Sequence, residues 1–196
     1  PVGHYKNWDM ISVVVKSGDD LRQEQLATQL ISVFMEIFKQ SNLPIWLKPY
    51  RVLAVSSQGG FIETVVDALS LHSIKEKLAE DENMNHYFNK AFQGNELTNA
   101  KRNFVESLVG YSLVCYILQI KDRHNGNILL DKEGHVIHID YGFMLTSSPG
   151  QWGFEKAPFK LTLEFVEIMG GRKEDNPIFS YFKMLFASGF LVIRSN

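Results

Sequence analysis

Cysteine is almost missing from this chain: a single residue, Cys115, occurs in 196 positions. An intrachain disulfide is therefore excluded, and the setting of that residue in YSLVCYIL reads as core filling rather than as a nucleophile. One cysteine and no Asn-x-Ser/Thr acceptor lead to the expectation of a reducing, cytoplasmic setting. Charge of one sign is also lacking. The 20 Lys and Arg nearly balance the 22 Asp and Glu, for a net charge of −2, which argues against nucleic acid as a partner. No uninterrupted apolar run reaches the ~18 residues of a membrane span. The longest candidate, Leu113 to Ile120, is short and contains Gln119. A secretory leader, internal repeats and low-complexity tracts are not seen. The chain opens on Pro1 rather than Met, so a piece of a longer protein is expected.

What is present is an ordinary globular composition, 45% hydrophobic and 21% charged, in a chain long enough to bury one sizeable core. Met10 to Lys16 is β-branched and short, and predicts a buried strand. Asp19 or Asp20 is placed to cap the following helix, in which Leu26, Leu30, Phe34 and Phe38 predict one apolar face. Strands are predicted over 51–56 and 61–66, with Gln58-Gly59-Gly60 as their turn. Helices follow over 73–80, 84–91 and 98–120, the last with Phe104, Leu108, Tyr111, Cys115 and Leu118 on a buried face. Residues 127–140 read as a hairpin around the turn DKEG, which is expected to be inert surface. Leu161 to Met169 is a helix stopped by Gly170-Gly171, and Asn176-Pro177 starts another. The fold class is α+β: a small strand-rich half over 1–66 and a mostly helical half over 67–196.

The chemistry is concentrated in KDRHNGNILLDKEGHVIHID, residues 121–140. Phosphoryl transfer from ATP needs a group beside the attacking hydroxyl and oxygen ligands for Mg²⁺ on the phosphates. Asp122, with Asn127 five residues on and Asp140 thirteen beyond that, supplies such a set once the hairpin folds its ends together. His124 adds a group able to take or stabilise a proton near neutral pH. Two other readings compete. His138 and Asp140 form an H-x-D pair of the iron facial triad, but no histidine follows residue 138 to complete it. A plain surface hairpin leaves unexplained a carboxylate at the end of the apolar strand VIHI. A nucleotide site also needs a cation and its partner, and Lys16 on the first strand with Glu24 on the first helix fits that pairing.

KSGDDLRQE, PYRVLAVSSQGGFIETV, KDRHNGNILLD and HVIHIDYGF closely resemble the catalytic domain of the phosphatidylinositol 3-/4-kinase family, and SSPGQWGFEKAPFKLTLEFVEIMGG is most similar to its type III 4-kinases of the beta kind. The resemblance spans nearly the whole chain. It implies a two-lobed, protein-kinase-like fold with a partial N-lobe and hinge over 1–66 and a C-lobe over 67–196. It implies ATP and Mg²⁺ (or Mn²⁺) as cofactors, with Lys16 on the phosphates and Glu24 as its helix partner. Glu63 and Val65 would bind adenine through their backbones, and Tyr50, Ile62 and Ile139 would line its pocket. Asp122 and His124 would serve catalysis, His124 as proton acceptor, while Asn127 and Asp140 would hold the metal. Residues 142–160 would receive the lipid headgroup, with Lys156 and Lys160 as its basic residues. So few cations suit unphosphorylated phosphatidylinositol. Trp152 and Phe154 would either dip into the membrane interface or pack on the protein. Peripheral membrane contact, a Golgi location and recruitment by a Rab-type small GTPase are further implications. Transfer to the inositol 4-hydroxyl is expected; the 3-hydroxyl, a related Ser/Thr protein kinase and a catalytically dead scaffold are the alternatives.

Overall fold

Strand β1 (Val13–Ser17) pairs antiparallel with β3 (Gly59–Glu63), whose other edge pairs with β2 (Val52–Ser56). A computed structural model describes residues 4–8, 10–145, 157–172 and 176–196. Between β1 and β2 runs helix α1 (Arg22–Gln40), which packs on β2. That arrangement overturns the expected burial of β1. Every residue of the strand is exposed, because it is an edge strand and α1 lies over its far neighbour. The helix face differs as well: Ala27, Ile31, Phe34 and Phe38 are buried, whereas Leu26 is exposed. Strict four-residue spacing drifts around a helix of 3.6 residues per turn, so Leu26 leaves the stripe that Phe34 and Phe38 define. Asp20 accepts the Arg22 amide hydrogen at 3.1 Å and also pairs with its guanidinium, while Leu21 occupies the cap position itself.

The glycine pair expected in a turn belongs to β3, and Ser57-Gln58 make the turn. A Cβ on Gly60 would lie 2.1 Å from the Leu53 carbonyl oxygen, so the strands approach there as only glycine permits.

A second sheet has the order β4-β5-β6, built from β4 (Ala68–Ser70), β5 (Ile128–Asp131) and β6 (Val136–His138). Sequence reading finds the β5–β6 hairpin and misses β4, a three-residue strand too short to carry a period. In the β5–β6 turn Lys132 and Glu133 are exposed, as expected of surface, whereas Asp131 is half-buried. Asp131 accepts from the amides of Glu133 and His135 and faces His135 Nδ1 at 3.0 Å. His135 in turn stacks on Trp46 at 4.0 Å. Two short helices precede the core: α2 (Leu71–Lys75), capped by Ser70, and α3 (Met84–Ala91), held by a reciprocal Asn83–His86 capping box. The core is organised by α4 (Asn95–Leu118), buried on nearly all sides from Phe104 to Cys115 as its spacing predicts.

Helix α5 (Leu163–Ile168) ends at Gly170 and Gly171, both with positive φ. Helix α6 (Pro177–Ser195), capped by Asn176, packs across α4 and α1. By length and composition alone α6 is apolar enough to cross a membrane, with a mean hydropathy of 1.3. Ser180, Lys183 and Ser188 interrupt it, which hides it from a search for unbroken runs. Phe182, Leu185 and Gly189 are its buried residues.

Candidate functional site

Residues 43–50 run extended across α4, with Ile45, Leu47 and Tyr50 buried and the Tyr111 hydroxyl bridging the amide and carbonyl of Lys48. This crossing delivers Tyr50 to a cavity of about 270 Å³ between the two sheets. Lys16, Glu24, Tyr50, Ile62, Glu63, Val65, Asn127, Ile139 and Asp140 all line it, so nine residues singled out from the sequence meet in one cleft. Thr64, inside the expected hinge of residues 61–65, lines it too, as do Val14 and Leu129, the last two missed as pocket residues. Strand alternation could have found two of them, since Val14 lies two positions before Lys16 and Leu129 two after Asn127.

Lys16 and Glu24 share the cleft without forming the expected ion pair. Lys16 Nζ lies 3.7 Å from Asp19, three residues on in the following turn. Glu24 instead accepts a 2.6 Å hydrogen bond from the Tyr50 hydroxyl. Burial raises the Glu24 carboxyl above its ordinary pKa, opposed by that hydrogen bond and reinforced by the Asp140 charge. Burial likewise raises the Tyr50 phenol, with Glu24 adding to the effect, so it stays a donor. The Tyr50 oxygen also accepts the amide hydrogen of Asp140 at 3.2 Å. One hydroxyl thus links α1 to the end of the hairpin.

At the rim, the Glu63 amide donates to the Arg51 carbonyl at 2.8 Å. The Glu63 carboxylate binds Arg51, whose guanidinium holds its pKa below the ordinary range. Thr64 pairs with Ser12, and among the described residues the Val65 amide has no partner.

Asp140 is exposed at the cleft rather than buried on a strand face. Its backbone, at φ 60, leaves the strand conformation and turns the side chain off the alternation of β6. Arg123 enforces this bend. Only 4% exposed, it donates to the carbonyls of Lys121 at 3.1 Å, Ile139 at 2.8 Å and Asp140, and lies over the Tyr141 ring. Sequence reading gave Arg123 no role, because nothing local distinguishes a buried arginine from a solvated one.

On the loop before β5, the Asn127 side-chain amide donates to the Asp122 carbonyl at 3.0 Å, leaving its oxygen as the remaining ligand atom. Asp122 and His124 lie outside the cavity lining, with 3.9 Å between Asp122 Oδ2 and His124 Nε2. His124 Nδ1 accepts the Gly126 amide hydrogen at 3.0 Å, so in the neutral ring Nε2 carries the hydrogen. As a proton acceptor, His124 would have to give up that bond.

Iron is not supported. His138 is buried, stacked on Tyr111, and within 3.5 Å of Cys115 through Nδ1, away from the cleft. Burial, helped by the positive Arg123 and Lys160, keeps its pKa well below the ordinary value. Among the described residues no group of three or more His, Cys, Asp or Glu could hold a metal ion. The two oxygen donors Asn127 and Asp140 fit Mg²⁺, which takes few protein ligands and fills its shell from phosphates and water. Lys160 donates from Nζ to the Arg123 carbonyl at 2.9 Å and to Asn125 Oδ1 at 2.8 Å. Trp152, Phe154 and Lys156 lie outside the described residues.

A family model, described as phosphatidylinositol 3- and 4-kinase, matches residues 10–196. The chain is 54% identical over 198 residues to phosphatidylinositol 4-kinase beta 2 of Arabidopsis thaliana, covering 99% of this chain and 18% of that protein. It is 52% identical to a phosphatidylinositol 4-kinase of Dictyostelium discoideum, over 99% of this chain and 16% of the relative. Against phosphatidylinositol 4-kinase beta of Danio rerio the identity is 51%, over 100% of this chain and 23% of the relative. The chain therefore spans less than a quarter of the length of these relatives.

Proposed function

Because the chain belongs to the phosphatidylinositol 3- and 4-kinase family, with its protein-kinase-like fold, we propose that it moves the γ-phosphoryl group of ATP to the 4-hydroxyl of phosphatidylinositol. The observation that carries this reading is the single cleft that gathers Lys16, Asn127 and Asp140 in a chain half-identical to phosphatidylinositol 4-kinases. In this reading adenine sits against Tyr50, Ile62 and Ile139 and takes hydrogen bonds from the Val65 amide and to the Glu63 carbonyl. Lys16 neutralises the phosphates. Asn127 and Asp140 would hold Mg²⁺ or Mn²⁺, which would supply charge neutralisation on the phosphates when bound. The inositol oxygen bonds to the γ-phosphorus as the bond to the β-phosphate oxygen breaks and ADP leaves. The hydroxyl proton passes to His124, with Asp122 beside it, and Nδ1 releases the Gly126 amide as it takes the proton.

Since the lipid lies in a bilayer, the enzyme works as a peripheral protein at a membrane surface. By family resemblance that surface is the cytoplasmic face of the Golgi, with recruitment by a Rab-type small GTPase.

The test incubates the full-length protein with labelled ATP, Mg²⁺ and either phosphatidylinositol vesicles or a Ser/Thr peptide. Label in lipid, with chromatography giving the 4-phosphate isomer, is expected. Label in peptide alone would sink the lipid reading, and a 3-phosphate product would correct the position. Asp140→Asn should abolish turnover while leaving the thermal unfolding curve in place. Near-normal turnover would remove Asp140 from the metal site.

A further inference from the structure

Lys160 closes the segment that family resemblance gives to the lipid headgroup, yet its ammonium is held by the catalytic loop. Its two acceptors, the Arg123 carbonyl and Asn125 Oδ1, lie 37 and 35 residues earlier in the chain. They flank His124 on both sides. Asn125 also opens a single 3-10 turn, Asn125–Asn127, whose last residue is a ligand candidate for the metal. Arg123 passes the connection on: its carbonyl receives Lys160, and its guanidinium grips the carbonyls of Ile139 and Asp140. A continuous chain of hydrogen bonds therefore joins Lys160, the catalytic loop and the metal-binding end of the hairpin.

We propose that Lys160 is a positioning residue, which fixes the backbone around His124 and Asn127 for phosphoryl transfer, and is not a headgroup ligand. The inference rests on the kinase reading above. An ammonium has three hydrogens, and two are already spent on oxygens in a half-buried site. Moving the group to a headgroup phosphate would break both bonds and leave the Arg123 carbonyl without this donor. The same geometry bears on specificity, because a lysine anchored on the loop does not add a cation for a second headgroup phosphate.

The full-length protein and its Lys160→Met, Asn125→Ala and double variants are assayed in two reactions: phosphorylation of phosphatidylinositol vesicles and lipid-free ATP hydrolysis. Asn125→Ala should lose about tenfold in kcat in both reactions, the effect of one charge-assisted hydrogen bond, and Lys160→Met, which removes that bond and the one to the Arg123 carbonyl, should lose at least as much. KM for the lipid should stay within about twofold, since uniform binding is untouched. The double variant should lose no more than Lys160→Met alone rather than the product of the two losses, because the bond that Asn125→Ala removes is already gone in Lys160→Met. A Lys160→Met variant with raised lipid KM and unchanged ATP hydrolysis would overturn the proposal, as would a silent Asn125→Ala or multiplicative losses. Should Lys160→Met fail to fold, Asn125→Ala alone decides, through loss or retention of kcat. If the wild-type protein leaves the lipid unlabelled, the kinase reading fails by itself, while the hydrolysis series still reports on the loop.

Discussion

Arg123→Met removes the guanidinium that joins the loop of residues 121–123 to the Asp140 end of the hairpin. Three backbone carbonyls, of Lys121, Ile139 and Asp140, lose a charged donor inside a site only 4% exposed. At about 1.5–3 kcal/mol for each hydrogen bond to a charged group, the gross loss is roughly 5–9 kcal/mol. Desolvation of a buried cation, several kcal/mol, is relieved at the same time. The net destabilisation should be about 3 kcal/mol, and urea unfolding at constant slope would read it as a lower midpoint. Activity should fall further than stability, because Asp140 at φ 60 has no other side chain gripping its carbonyl among the described residues. We expect a kcat loss of about a hundredfold or more at urea-free conditions where the variant is folded. Arg123→Lys is the decisive companion. It keeps the charge, but a single ammonium lacks the planar fork that serves three carbonyls at once. Its kcat should therefore stay close to that of the methionine variant. Full activity in Arg123→Lys, or a methionine variant within about 0.5 kcal/mol of wild type, would refute the reasoning.

Tyr50→Phe strips the buried Glu24 carboxylate of its 2.6 Å donor and should destabilise by about 1–3 kcal/mol at pH 7. Because burial raises the folded-state pKa of Glu24 above its ordinary value of 4.5, that cost should fade as pH falls toward 4.5; a pH-independent difference in unfolding free energy would count against it. Gly60→Ala drives a methyl group to within 2.1 Å of the Leu53 carbonyl oxygen, and thermal unfolding should show a loss of about 3 kcal/mol or more. Asp131→Asn addresses the hairpin. Burial disfavours the Asp131 charge, but the hydrogen bonds from His135 outweigh it and leave the pKa below 3.8. The stabilisation from the charged form is complete above that value and is lost as pH falls below it. The variant should therefore be less stable by about 1.5–3 kcal/mol at neutral pH, with the gap closing in acid when followed by circular dichroism.

Much of the site is legible before any fold is known. The spacing of Phe104, Leu108, Tyr111, Cys115 and Leu118 is enough to bury α4, because helical periodicity is a local property. The β5–β6 hairpin follows from two apolar runs about a polar turn, and it brings the ends of residues 127–140 together whatever surrounds it. Hence Asn127 and Asp140 could be paired on sequence alone. Choices between partners at equal reach were not legible. Lys16 could meet Asp19 or Glu24, and the Tyr50 hydroxyl, delivered by a chain segment crossing α4, takes Glu24. Whether β1 is covered depends on which strand α1 lies over, and whether Gly59 and Gly60 turn or extend depends on how closely β2 and β1 approach.

Residue order alone was enough for the set of chemical groups and for the hairpin that brings Asn127 and Asp140 together, since each rests on composition or on short spacing. The wiring came from the packed fold: Tyr50 between Glu24 and the Asp140 amide, Arg123 across three carbonyls, Lys160 on Arg123 and Asn125. Those contacts join residues tens of positions apart. Their geometry arises from packing against α4 and the second sheet, which no local pattern encodes.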